Sequence, residues 1–142
     1  KTGEVIFVSL KLRNYKVYKT VLLGVLNDFD KSKYLPKKNK KFEIVSVQGN
    51  EFLDLENCLI KKKKLEKEFD SVLNYSKKIS EKVTHSYDKS KKSFVYITLY
   101  KFKNGDLLEL SCYDWSKRIE TEMRWTDHLK VNISTKVYSE LH

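Results

Sequence analysis

Residues 94 to 115 constrain the fold of this chain more than any other stretch, because they spell out a β-hairpin nearly in full. FVYITLYKFK (94–103) runs into Asn104-Gly105, and DLLELSCYDW (106–115) runs back. Asn-Gly accepts the positive φ angles of a two-residue type I′ turn, so the pair sets the reversal and the register together. The register this implies puts Lys103 against Asp106, Phe102 against Leu107, Leu99 against Leu110 and Ile97 against Cys112. One face then carries Val95, Ile97, Leu99, Leu108, Leu110 and Cys112, and reads as core. The other carries Phe94, Tyr96, Thr98, Tyr100, Phe102, Glu109, Ser111, Tyr113 and Trp115, an aromatic face mixed with hydroxyls.

The rest of the chain has to cover that hairpin. Residues 4–12 alternate Ile6, Val8, Leu10 and Leu12, while residues 16–26 align Val17, Val21, Leu23 and Val25. With a reversal at Arg13-Asn14-Tyr15, they predict a hairpin near 4–26, and Gly24 marks a bulge or a close backbone approach. Residues 42–48 and 51–56 flank Gly49-Asn50, which predicts a second hairpin near 42–56. Asn57 is an N-cap for a long helix reaching about Thr84, since Cys58, Leu65, Phe69, Val72, Ser76, Ile79 and Val83 fall on one helical stripe. The lysines at 61–64 point around that helix and make no one-sided stripe. Residues 128–134 alternate Leu129, Val131 and Ile133 as one more strand, and short helices follow from Trp115, Ile119 and Met123 and from Val137, Tyr138 and Leu141.

These elements predict a single α+β domain over residues 1–142. Its mostly antiparallel sheet has about six or seven strands, with hairpins near 4–26, 42–56 and 94–115 and a strand near 128–134. The 57–84 helix covers it, and short helices lie at the C-terminus. A chain of 142 residues, 40% hydrophobic, suffices for one core. No run approaches the ~18 apolar residues of a membrane span, so the expectation is a soluble segment.

The formal net charge is +10, which invites an anionic partner. Only three of the 29 basic residues are arginine (Arg13, Arg118, Arg124), and alanine is absent, a composition that an AT-rich coding sequence produces without selection for any anion. The charge is uneven: residues 1–103 hold 24 Lys+Arg against 12 Asp+Glu, residues 104–142 five against seven. Residues 27–41 lose periodicity, contain Pro36 and concentrate Lys31, Lys33, Lys37, Lys38, Lys40 and Lys41 around Tyr34. A basic loop beside sheet aromatics is the arrangement that binds phosphates and stacks bases.

Chemistry is sparse. Cys58 lies on the apolar stripe of the helix and Cys112 on the core face of the hairpin, so the two sulfurs meet if that helix packs on that face. A bond there would imply an oxidising compartment; two buried free thiols are the alternative. There is no CxxC, and His85, His128 and His142 have no metal-ligand spacing. A Cys112/His128 nucleophile pair fails because a core-facing thiol is inert. No Walker, GxGxxG, GxSxG, HExxH or EF-hand pattern occurs. Catalytic residues, metals and cofactors are therefore expected to be none. Two sequons, Asn74-Tyr75-Ser76 and Asn132-Ile133-Ser134, read as accidental, one in the helix and one in a strand.

The functional expectation is a small non-enzymatic binding protein that recognises a protein partner, such as a secreted or periplasmic inhibitor or immunity-type module. The missing initiator Met and the Cys58–Cys112 pair support the secreted or periplasmic location, with the cytoplasm as the alternative. The expected contact residues are Tyr96, Tyr100, Phe102, Glu109, Tyr113 and Trp115, since Tyr and Trp are favoured interface anchors. A covered aromatic face, packed as a second core layer, is the competing expectation. The alternative function is nucleic-acid binding through Lys31–Lys41 and the sheet aromatics.

Overall fold

In the computed structural model, described over residues 4–10, 18–27 and 43–141, seven antiparallel strands form one sheet. In chain order the elements are β1 (Glu4–Leu10), β2 (Thr20–Asn27), β3 (Glu43–Phe52), α1 (Leu55–Val72), β4 (Lys77–Thr84), β5 (Phe94–Lys101), β6 (Leu107–Asp114), α2 (Lys117–Met123), β7 (His128–Ser134) and α3 (Lys136–Leu141). The spatial order is β1-β2-β3-β7-β6-β5-β4, so β7 joins the N-terminal meander to the C-terminal one. The α+β class, the antiparallel sheet and the helical cover match expectation.

The hairpin of residues 94–115 forms, but one residue out of the expected register. Leu99 pairs with Glu109 and Ile97 with Ser111, not with Leu110 and Cys112. The loop explains the slip. Gly105 N–H donates to Phe102 O (3.0 Å), Phe102 N–H donates to Asp106 O (3.0 Å), and Gly105 sits at φ 90°. This is a three-residue loop, a type I turn closed by a glycine bulge, in place of the two-residue type I′ turn. Asn104 stabilises it by accepting from Asp106 N–H (3.1 Å). One extra loop residue reverses the face of one strand relative to the other. The core face of β6 stays as expected, with Leu108, Leu110 and Cys112 all buried, while β5 turns over. Tyr96, Thr98 and Tyr100 now lie beneath α1, and Val95, Ile97 and Leu99 face the other side.

The long helix is also corrected. α1 ends at Val72, and residues 77–84 form the edge strand β4 paired to β5. Ile79 and Val83 are four apart, a spacing that suits one helical stripe and one strand face equally. Their β-branched side chains and the Asn74-Tyr75-Ser76 break favour the strand. The N-cap is Asp54, whose carboxylate accepts from Asn57 N–H (2.9 Å), three residues ahead of the expected cap. Asn74 therefore stands exposed in the α1–β4 turn, outside any helix, while Asn132 lies in β7 and accepts from Ser46 Oγ (2.8 Å).

The second expected hairpin is absent: β3 runs unbroken through Gly49-Asn50, which pair with Val21 and Thr20 on one side and with Val131 and Lys130 on the other. Gly49 serves a close approach there, since a Cβ on it would sit 2.8 Å from Tyr18 Cδ1. Gly49→Ala must therefore displace that ring, and we expect it to cost about 1–3 kcal/mol as overpacking in a urea melt. Gly24 behaves as expected: the β2–β3 register shifts beside it, and its Cβ position lies 3.0 Å from Ser46 Cβ.

α1 covers only the β5–β6–β7 end of the sheet. Leu55 and Leu59 pack with Cys58, Cys112 and Leu129; Phe69 and Leu73 pack with Tyr100, Leu108 and Leu110; Leu65 touches both groups. Cys58 and Cys112 are disulfide-bonded, with Cα atoms 5.9 Å apart. The four lysines disperse as expected: Lys61 pairs with Glu51, Lys62 is buried against Glu66 and Thr98, and Lys63 and Lys64 are exposed. No helix among the described residues is long and apolar enough to cross a membrane.

Candidate protein-binding surface

The register shift redistributes the expected contact residues. Tyr100 is fully buried beneath α1, ringed by Phe69 and Tyr75, and burial pushes its hydroxyl up to about 12. Tyr96 packs on the disulfide cluster and Phe102 on the Tyr100 cluster. These three leave the candidate surface. Glu109 does not face Tyr100; it lies on the opposite side of the sheet, held by Lys130 Nζ (2.7 Å) and by the Ser111 hydroxyl. Tyr113 and Trp115 remain on that opposite side. The basic stretch Lys31, Lys33, Tyr34, Lys37, Lys38, Lys40 and Lys41 lies outside the described residues.

Around Tyr113 and Trp115 two strands and two connections bring in rings that sequence reasoning did not place there. Phe52, His128 and Tyr113 form one row across β3, β7 and β6. His128 stacks on Tyr113 at 4.5 Å with planes 7° apart, and Trp115 stacks beyond it at 5.5 Å. The β4–β5 connection adds His85, 4.6 Å from Trp115, and Tyr87, 4.8 Å from Trp125. The α2–β7 connection supplies Trp125, 4.7 Å from Trp115. Arg124 ends α2 in the left-handed region at φ 56°, which turns the chain so that Trp125 returns to the sheet. Trp115 and Trp125 are the two tryptophans of the chain, and both belong to this cluster.

A fully buried carboxylate holds the cluster in place. Asp88 accepts from Ser90 N–H (3.0 Å), from the hydroxyls of Ser90, Ser93 and Ser116 (2.6, 2.7 and 2.9 Å), and from Arg118 (3.1 Å). The Ser90 and Ser93 bonds lead in holding its carboxyl far below the usual carboxylate range, with Ser116 and Arg118 adding to them. Asp88 thereby ties the loop that carries His85 and Tyr87 to the start of α2. Asp127 does the same for Trp115, accepting its backbone N–H at 2.7 Å, and burial raises this carboxyl. The buried indole N–H of Trp115 meets no acceptor, so that ring is held by packing alone.

The cluster is firm at its centre and open at its rim. Trp115 is only 8% exposed, whereas Phe52, Tyr87 and Met123 expose 50%, 49% and 38% of their surface. Among the described residues no group of three or more His, Cys, Asp or Glu is placed to hold a metal. Compared with known proteins, the chain matches no family model, no curated sequence and no solved structure.

The two histidines give the surface a pH dependence. Burial lowers both His85 and His128, and the Lys130 ammonium lowers them further; Asp88 opposes this at His85 and the Thr126 carbonyl at His128. A histidine depressed in the folded state stabilises above its unfolded value of ~6.5, and that stability is lost as pH falls through the folded value. We expect tryptophan fluorescence to hold steady from neutral pH down through the ordinary histidine value of ~6.5 and to change only below it, as imidazolium forms against the indoles. His85→Phe should remove most of that transition, and its persistence would place the titration elsewhere.

Proposed function

We propose that the protein is a small non-enzymatic binding module that recognises a protein partner through the aromatic surface formed by Phe52, Tyr87, Tyr113, Met123, Trp125 and His128. One observation carries the reading: Phe52, Tyr87 and Met123, exposed at a rim, surround the buried Trp115, whose backbone Asp127 holds and whose flanking loops Asp88 ties together. Anchors that are already ordered lose little conformational entropy on binding, and Tyr and Trp dominate the energetics of protein interfaces. The Cys58–Cys112 bond fits an oxidising compartment, as a secreted or periplasmic inhibitor or immunity-type module would require.

The nucleic-acid alternative loses part of its support. Tyr96 and Tyr100, two of the hairpin tyrosines it would use for stacking, pack beneath α1, while Tyr113 stays on the opposite side of the sheet. The test is a pair of variants, Tyr87→Ala and Trp125→Ala, measured for partner affinity alongside near-ultraviolet circular dichroism. Each is expected to weaken binding by tenfold or more, the effect of a hot-spot residue at ~2 kcal/mol, with the fold retained. Unchanged affinity in both variants, or tight binding of single-stranded nucleic acid that weakens steeply with salt, would overturn the reading.

A further inference from the structure

The two edges of the sheet are built differently. β4 carries Lys77, Lys78, Glu81 and Lys82 along eight residues, the charged guarding that keeps an edge from pairing with another chain. β1, Glu4–Leu10, carries one charge at its first residue and no proline. Among the described residues only β2 pairs with it. Ile6, Val8 and Leu10 on one face expose 40%, 43% and 37%, and Phe7 on the other exposes 47%. The apolar face continues inward, since Ile6 and Val8 align through Val25 and Leu23 with Ile44 and Val47, themselves 52% and 41% exposed. Among the described residues α1 packs on β6 and β7 and does not reach the Ile6–Val8 face, while on the opposite face Phe7 meets Tyr138 of α3 edge-on at 6.3 Å.

We infer that β1 is a pairing edge for a second copy of this chain, the two β1 strands meeting antiparallel across a two-fold axis at Phe7. An apolar patch alone specifies no occupant; a row of unpaired backbone donors and acceptors specifies a strand. The sequence of β1 suits its own reverse. Antiparallel pairing about Phe7 sets Ile6 opposite Val8 of the second copy, Val5 opposite Ser9, and Glu4 opposite Leu10. Branched side chains face one another and no like charges meet, the self-complementarity that a two-fold interface demands. The net charge of +10 on each copy opposes association, so added salt should strengthen this dimer, opposite to its effect on nucleic-acid binding.

Sedimentation equilibrium of the full chain tests this, together with hydrogen exchange of the β1 amides. The expected result is a mass rising with concentration from 16.9 kDa toward twice that value, more readily in salt, with β1 amides gaining protection as the dimer forms. Val8→Lys should be monomeric at every concentration while keeping its near-ultraviolet spectrum, and Phe7→Lys supplies the same reading should that variant not fold. A wild-type protein that stays monomeric through the millimolar range overturns the proposal. So does a dimer that survives Val8→Lys with freely exchanging β1 amides. Protection of β1 that is independent of concentration also overturns it, because a segment of the same chain would then occupy the edge. Partner binding at the aromatic surface is unaffected by any of these outcomes.

Discussion

Replacing Cys58 and Cys112 together by alanine should lower the unfolding free energy by about 4 kcal/mol, the loop-entropy value for a closed span of this length. The bond joins residues 54 apart, and the loop it closes contains most of α1, all of β4 and β5, and most of β6. Without it the unfolded chain gains freedom over residues 58–112, which hold most of the core beneath α1. Both cysteines are fully buried, so alanine also leaves a small cavity among Leu55, Leu59 and Leu129. Urea melts of the wild type with and without reductant, and of the double variant, measure the effect. Reduction should bring the wild type close to the variant and leave the variant unchanged. Equal stability in all of them would mean that the bond contributes nothing to this fold.

Leu110→Ala should cost about 2–5 kcal/mol, the range for a large aliphatic removed from a core that cannot collapse around the gap. Leu110 is fully buried at the middle of β6, packed with Tyr100, Leu108 and Val131 under Leu65 and Phe69 of α1. Ile133, on the same face of the neighbouring strand but 58% exposed, provides the control. Its alanine variant should stay within about 1 kcal/mol of wild type, because a half-solvated side chain loses little transfer free energy. Comparable losses at both positions would contradict the placement of α1. Leu99→Ala separates the two registers: in the expected pairing it shares the face of Leu110, and in the observed one it lies on the opposite face.

Much of the fold was legible because apolar alternation and turn chemistry agreed. β1, β2 and β7 followed from simple alternation, and placing Cys58 and Cys112 on facing apolar surfaces made the disulfide one of two expected outcomes, beside two buried free thiols. That pairing survived the error in register because the slip moved β5 and left the core face of β6 in place. β5 offered no protection against the slip, since Val95, Ile97 and Leu99 on one face and Tyr96 and Tyr100 on the other are all large and apolar. The β4 region failed for a related reason, as Ile79 and Val83 fit either period. Gly49-Asn50 looked like a turn because the sequence does not show that Tyr18 lies over the glycine.

The candidate surface was only half legible. Tyr113 and Trp115 sit on the hairpin itself and were found there. Phe52, His85, Tyr87, Trp125 and His128 reach the surface from β3, from two connections and from the start of β7, so no local pattern joins them. One usable signal was present: Asp88 sits in a connection among Ser86, Ser90 and Ser93, more hydroxyls than a solvated loop needs.

We propose that the aromatic rim, rather than the helical face or the charged edge, meets the partner. Photo-crosslinking from three positions tests it most directly: a photoreactive aromatic residue replacing Tyr87 on the rim, Lys64 on the outer side of α1, or Lys82 on β4. The expected result is one discrete protein adduct from position 87 and none from 64 or 82, with the adduct lost when Trp125→Ala is added. Adducts forming equally from all three positions, or only from 64 or 82, would contradict it.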